Sequence, residues 1–378
     1  MKKTIINVRH YLAATGFAIL VCLLFSLNTN AATTGKAYFS VEKFTIGQGY
    51  LIEPCEVSIT DGEPLSAVAE RVLKANGYEP IVADTGYGWY LAGIKNANSG
   101  IVKVPLCFKN KWGEITIEND KDLEENDYPT YGYSGWMFLQ NNKGTQGASS
   151  TQVYNGDVIA LRYTLTGGYD IGIPYHETMP HLLLPNLDSL TKSMAIFNAN
   201  KQLCMEKGYQ AAYNEALSFA SNMDAHVIAD DKSNQSQIEA KIRSLCSKLP
   251  TEATINQWKA EKAAAEQVAL AQAEEARKVA LYTPAVPTLK SVKSTKTRTA
   301  VITWKKNKKA TGYEIYMSTK KASGYKKITT VKSWKKVTYT KKKLKKNKKY
   351  YFKVRAYKTA EGKKYYSAYS KVKAVKVK

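Results

Sequence analysis

From Thr283 to Lys378 the chain carries 31 Lys or Arg residues and only two acidic ones, Glu314 and Glu361, whereas the preceding 282 residues hold 25 basic and 30 acidic. Like charge at that density repels itself and does not share a body with a near-neutral neighbour. The two stretches are therefore expected to fold separately. At 378 residues the chain has room for two or three cores.

The first residues carry a different message. Lys2, Lys3 and Arg9 precede an apolar run from Tyr11 to Leu27, and Thr29 and Ala31 are placed for cleavage after Ala31. This is the layout of a secretory signal, residues 1–31, with an uncleaved membrane anchor as the alternative. Cys22, preceded by Val21, makes a poor lipid acceptor. No second apolar run follows, so no stable membrane span is expected after cleavage. Beyond the signal lie Cys55, Cys107, Cys204 and Cys246, an even number that in an exported chain favours disulfides over metal. The sequence permits three pairings; pairing within domains gives Cys55 with Cys107 and Cys204 with Cys246.

Residues 35–173 read as an α+β domain. In TDGEPLSAVAERVLKANG, Asp61 and Gly62 turn the chain, Pro64 suits the first helical turn and Gly77 the exit. Leu65, Val68, Ala69, Val72 and Leu73 form one apolar stripe, so this helix is expected to pack on a sheet. AYFSVEKFTI, WYLAGI, GIVKVPLCF, WGEITI, GWMFLQ and GDVIALRYTL supply short strand-like runs. The order of that helix, WYLAGI, GYSGWMFLQNN, YNGDVIALRYT and GGYDIG resembles the transcobalamin C-terminal-like family, catalogued in bacteria as domain of unknown function 4430. The resemblance rests on Trp136, Met137, Asn141, Gly156 and Asp157. It implies a small β-grasp-like unit and, from the animal members, a cap over cobalamin. LQNNKGTQG replaces the usual strand end, and the helical barrel that supplies most of the animal site is missing, so fold transfers better than ligand.

Two readings of the aromatic run stay open. Tyr131, Tyr133, Trp136 and Phe138, with Asn141, would floor a small-ligand site, because rings give contact area at low entropic cost. Alternatively Trp136 and Phe138 belong to the core. Asn155 and Gly156 read as a register-setting turn, with Asp157 bonding its amides. His176 and His181 are spaced five apart and separated by Pro180, which excludes a helical zinc pair. The acidic run from Glu118 lacks the spacing of a calcium loop. No nucleophile elbow, phosphate loop or dinucleotide fingerprint occurs, so no catalytic residue is nominated.

Residues 184–250 read as a three-helix bundle. Leu187, Leu190, Met194, Phe197 and Cys204 make one seam, Tyr209, Tyr213, Ala216, Leu217 and Ala220 a second, and Ile238, Ile242, Leu245 and Leu249 a third. The segment is similar to the FIVAR-type modules of bacterial surface proteins. In an up-down-up bundle Cys204 and Cys246 meet at one end, and a bridge there would add roughly 4 kcal/mol on the chain-entropy model. Residues 254–282, capped by Thr254 and Gln257, are rich in Ala, Glu, Gln and Lys and read as a long solvated helical spacer.

Residues 284–378 alternate strand and turn. Ile302 and Trp304, Tyr313 and Ile315, and Tyr350, Phe352, Val354 and Ala356 recur at period two, as an all-β sandwich requires. The segment resembles a fibronectin type III domain through Pro287, Trp304, GYEIYMST and the corner formed by Leu344 and Tyr350. Its cations attract polyanions over a Debye length of about 8 Å, and the densest group is Lys341, Lys342, Lys343, Lys345, Lys346, Lys348 and Lys349. The alternative is that lysine only keeps sheet edges soluble. The expectation is a non-catalytic surface or wall-associated protein of a Gram-positive bacterium, secreted, holding anionic wall polymers or glycans. Small-ligand capture by the first domain, with cobalamin as the one cofactor in view, is the alternative. Nucleic acid is not expected as a partner.

Overall fold

A computed structural model of the chain describes residues 33–84, 86, 88–115, 122–125, 127, 133–173 and 178–378. The expected signal segment 1–31, Tyr131, His176 and part of the acidic run from Glu118 lie outside the described residues. The chain divides into two compact units, one up to Trp258 and one from Lys259 onward.

In the first unit the chain runs β1 (Thr34–Glu42), β2 (Tyr50–Thr60), β3 (Glu63–Pro64), α1 (Leu65–Ala75), β4 (Pro80–Asp84), β5 (Trp89–Ile94) and α2 (Leu106–Trp112). It continues through β6 (Gly135–Gln140), β7 (Lys143–Gly144), β8 (Gln152–Val153) and β9 (Val158–Thr164). Helices α3 (Asp188–Ala199), α4 (Lys201–Glu206), α5 (Gln210–Ala220), α6 (Met223–His226) and α7 (Gln235–Lys248) follow. The main sheet has the order β2-β1-β9-β6-β7. Its first and last long strands, β1 and β9, lie side by side and parallel, while β2, β6 and β7 pair antiparallel.

Strand alternation divides this sheet between two cores. Phe39, Val41, Ile159, Leu161, Trp136 and Phe138 face α1, whose stripe of Leu65, Val68, Ala69, Val72 and Leu73 is buried as a block. Gly77, at φ 81°, ends that helix, and the Tyr78 amide donates back to the Leu73 carbonyl. Tyr38 and Val158 face the other way and share a cluster with Leu190, Met194, Phe197, Tyr213, Ile242 and Leu245. On that same face the buried Arg162 Nε donates to Glu42 Oε2 at 2.7 Å, and the Ser40 hydroxyl donates to Glu42 Oε1.

The helical segment is thus not a free-standing bundle. Its three apolar seams are buried except at the half-buried Tyr209 and Leu217, but α3 lies on β1 and β2 instead of closing a core among helices alone. Polar bonds fix the docking: Asn198 Nδ2 donates to the Pro54 carbonyl, and the Tyr213 hydroxyl donates to Glu53 at 2.8 Å. The expected strand in GIVKVPLCF is also corrected, because Leu106–Trp112 is the helix α2. Pro105 opens it, and the Asp224 carboxylate of α6 accepts the Leu106 and Cys107 amides at 3.0 and 2.6 Å.

The expected disulfides are a further correction, since among the described residues none of Cys55, Cys107, Cys204 and Cys246 is bridged to another. Cys55, on β2, points its sulfur at the Phe39 carbonyl, whereas Cys107 packs with Phe44, Leu182 and Met223 in a different cluster. Cys204 is sealed in the helical core and Cys246 turns toward the Ser189 hydroxyl. Burial pushes the Cys55 and Cys107 thiols up to about 11 and about 12, which leaves them protonated and unreactive.

The long helix α8 spans Glu252–Tyr282, 31 residues, and starts two residues earlier than its expected first residue, with Thr251 Oγ1 accepting the Thr254 amide. Ile255 is its one buried residue. Among the described residues no helix is long and apolar enough to cross a membrane.

The second unit contains β10 (Leu289–Lys293), β11 (Ala300–Trp304), β12 (Gly312–Ser318), β13 (Lys326–Val331), β14 (Thr338–Lys341), β15 (Lys349–Ala360), β16 (Lys363–Tyr366) and β17 (Lys373–Lys376). One sheet has the order β10-β11-β14; the other runs β13-β12-β15-β16, with β17 also on β15. Between them lie Ile302, Trp304, Tyr313, Ile315, Tyr350, Phe352, Val354 and Ala356. These are the residues whose period-two spacing called for a sandwich. The last turns of α8 hold the β15–β16 turn: Lys278 pairs with Glu361 at 2.6 Å, and the Tyr282 hydroxyl donates to the same carboxylate.

Candidate binding surfaces

At the β5 and β6 end of the first unit is a cleft of about 500 Å³. Trp89, Tyr90 and Leu91 of β5 form one wall, Trp136 and Phe138 of β6 the floor, and Thr164, Thr166 and Tyr169 the far side. Two of the candidate residues are mostly core. Trp136 is buried against Tyr163 with ring centroids 5.2 Å apart, and its indole N–H donates to the Leu123 carbonyl at 2.8 Å. Phe138 is 8% exposed. Tyr133, by contrast, is 73% exposed at the rim.

Asn141 does not line the cleft. At φ 51° it makes the turn after β6, donating Nδ2–H to Asp157 and accepting the Val158 amide. Asp157 also accepts the Tyr154 amide at 2.8 Å, so these polar groups set register. The residues that sequence reasoning missed are Tyr90, Glu125, Thr166 and Tyr169. Burial, with Glu125 bonded beside it, pushes the Tyr90 phenol up to about 12. The far wall rests on Asp170, fully buried beneath the loop at Gly167 and Gly168, which have φ of 64° and 101°. Its carboxylate accepts the Thr164 hydroxyl, the Leu165 amide at 2.7 Å and the Thr166 hydroxyl at 2.9 Å. The GGYDIG run was the available signal, because paired glycines before an acid mark a backbone-binding turn. No cluster of metal ligands occurs among the described residues.

In the second unit the decisive geometry is a corner. Leu344 is buried, its amide donates to the Arg298 carbonyl, and the Lys345 amide donates to the Tyr350 hydroxyl at 3.1 Å. A tyrosine at the start of β15 thereby ties down the turn before it, across a two-sheet sandwich centred on Trp304. Residues 284–373 match the family described as the fibronectin type III domain. Residues 284–373 are a fibronectin type III domain.

Similar solved structures include a β-1,2-glucanase from Parabacteroides distasonis, 26% identical over 24% of this chain and 12% of that one, with a TM-score of 0.21. A human KIAA0970 fibronectin type III domain is 20% identical over 24% of this chain and 71% of its own, with a TM-score of 0.20. A Fn3-like protein from Clostridium thermocellum is 27% identical over 24% and 86%, with a TM-score of 0.19. No curated protein matches the chain.

The lysine cluster of the type III domain occupies that corner. Lys342, Lys343, Lys345, Lys346, Lys348 and Lys349 are exposed and Lys341 is half-buried. Among the described residues none of the seven is in an ion pair. Lys343 and Asn347 take φ of 61° and 60°, so two tight turns present the cations on a backbone pinned by Leu344 and Tyr350. The two acids of the domain are occupied elsewhere: Glu361 by Lys278 and Tyr282, and the buried Glu314 by Arg355, Lys327 and Tyr316.

Proposed function

We propose that this chain is an exported, surface- or wall-associated binding protein of a Gram-positive bacterium, without catalytic activity, whose type III domain holds an anionic polymer through Lys341–Lys343, Lys345, Lys346, Lys348 and Lys349. The observation that carries this reading is a charge excess that internal counter-ions do not offset: 31 cations against two acids, both already paired. A polymer that displaces counterions from such a surface is held by an interaction that falls steeply with salt, by analogy with nucleic-acid binding. Replacing the seven lysines with Gln should leave folding intact and release the full chain from purified walls at lower salt. Retention that ignores both salt and the substitution would return the lysines to a solubility role.

A second reading, small-ligand capture, is favoured by the cleft of the first unit. Its volume of about 500 Å³ lies within the range of about 300–1,000 Å³ usual for small-molecule sites. The parallel pairing of β1 with β9 and the packing of α1 support a β-grasp-like relation to transcobalamin C-terminal-like domains. A corrinoid macrocycle is larger than this cleft encloses, so cobalamin would be covered on one side only. The test is Tyr133→Ala, which removes an exposed rim ring. It should weaken a cobalamin-induced change in the visible spectrum by about tenfold while leaving stability unchanged. An unshifted cobalamin spectrum at millimolar wild-type protein would remove this reading.

A further inference from the structure

The outward face of the larger type III sheet carries a second, differently built cationic surface. On β12 and β15 the core residues Ile315, Phe352 and Val354 alternate with Tyr316, Lys353 and Arg355, which point away from the core. Register sets Tyr316 opposite Lys353 and Glu314 opposite Arg355. The Lys353 ammonium lies between two rings, 4.4 Å from the centroid of Tyr325 and 3.8 Å from that of Tyr369. The Arg355 guanidinium lies 3.8 Å from Tyr366 and 5.4 Å from each of Tyr316 and Tyr369. Ser367 and Ser370 accept into this arrangement from β15, fixing the segment that carries Tyr369.

The two cations are not equivalent. Arg355 donates through Nε and Nη2 to Glu314, whose carboxylate is held below its usual range because hydrogen bonds from Arg355, Tyr316 and Lys327 outweigh its burial. Lys353 has ring contacts but no ion pair among the described residues. An ammonium partly stripped of water by two ring faces, with its N–H groups uncommitted, is prepared for an anion.

We propose that this face binds an acidic polysaccharide, a chain of carboxylated sugar rings, with Lys353 meeting the carboxylates and the flanking tyrosines, Tyr369 foremost, packing on the sugars. The inference rests on the reading of this domain as a polymer-holding one and narrows it. A flexible phosphodiester polyol has no flat apolar face, so rings would add nothing to its capture; a pyranose presents C–H groups to a ring and hydroxyls to phenol oxygens. Charge complementarity favours the same occupant, because the surrounding domain holds 31 cations and no unpaired acid.

The test compares the full chain with Lys353→Gln and with Lys353→Gln/Tyr369→Ala, using polygalacturonate, inorganic polyphosphate and a neutral glucan as probes. Tyr369 is 38% exposed, so its truncation leaves the core intact. The expected result is that polygalacturonate binding falls about tenfold or more in the double variant, while polyphosphate binding changes less than about twofold. The single variant should show the same selectivity to a smaller degree, and the neutral glucan should not bind. Equal losses on both anions, an unchanged double variant, or a wild-type chain that does not bind polygalacturonate would each overturn the proposal. The seven-lysine variant separates the two readings, since it should weaken both anions. If polyphosphate binding is lost there while polygalacturonate selectivity fails, only the general electrostatic reading stands.

Discussion

Replacing Asp170 with alanine is expected to lower the melting temperature of the first unit by about 6–12 °C, more than any surface substitution in that unit. The Asp170 carboxylate is fully buried and accepts from the Thr164 hydroxyl, the Leu165 amide and the Thr166 hydroxyl. A buried donor left without its acceptor costs about 1–3 kcal/mol, and three such groups share one acceptor residue here. Even partial relaxation leaves a loss of about 3 kcal/mol, and in a unit of this size each kcal/mol moves the melting temperature by about 2–4 °C. Asp170→Asn keeps one acceptor oxygen and should fall between alanine and wild type. Because the same carboxylate supports the wall with Thr164, Thr166 and Tyr169, the cleft should deform first. Calorimetry of the full chain, with the transition of the type III domain as internal reference, checks this. A shift under about 2 °C would mean that the loop finds other acceptors.

The second expected result is an acid sensitivity located at His226. This imidazole is 2% exposed, with Nε2 at 3.2 Å from the Ala220 carbonyl and Nδ1 without a hydrogen-bond partner among the described residues. Burial lowers its pKa to about 4, Arg162 adds to the effect, and Asp224 opposes it. The folded form therefore resists protonation that the unfolded chain accepts at about 6.5. Between those values the unfolded state binds more protons, so stability falls as pH drops from about 6.5 toward 4 and is unaffected by this group above that window. The full loss is about 3 kcal/mol. In His226→Gln the urea midpoint of the first unit should lose that part of its pH slope, with the slope of the type III domain unchanged. Parallel slopes in variant and wild type would assign the acid loss to carboxylates held below their usual range, such as Glu63 beside Arg71.

What the sequence discloses and what it hides follow a physical division. The stripes of α1, α3, α5 and α7 and the alternation of β11, β12 and β15 are periodic, and each faces a core as its period requires. Docking of the helices on the sheet is not periodic. It depends on Asn198 and Tyr213 meeting Pro54 and Glu53, single polar contacts more than 140 residues apart. The helix α2 was hidden for the same reason, since its cap, Asp224, lies 118 residues from Leu106. In the cleft only the contiguous run around Tyr133 and Trp136 was legible; Tyr90, Glu125 and Tyr169 come from three other segments. Even-numbered cysteines invited pairing, but the separate clusters that bury Cys55 and Cys107 decide otherwise.

The pairing of Glu314 and Glu361 has a consequence for how the type III domain responds to its surroundings. Both carboxylates are held below their usual range, Glu314 by hydrogen bonds that overcome its burial and Glu361 chiefly by Lys278. The four histidines of the chain all precede residue 283, and the cations of the domain are lysines and arginines. The two carboxylates therefore keep their charge on mild acidification, and no imidazole is present in the domain to take up a proton near neutral pH. The domain behaves as a fixed-charge exchanger: acidification of the medium neither loads nor empties it, and the eluent that matters is ionic strength.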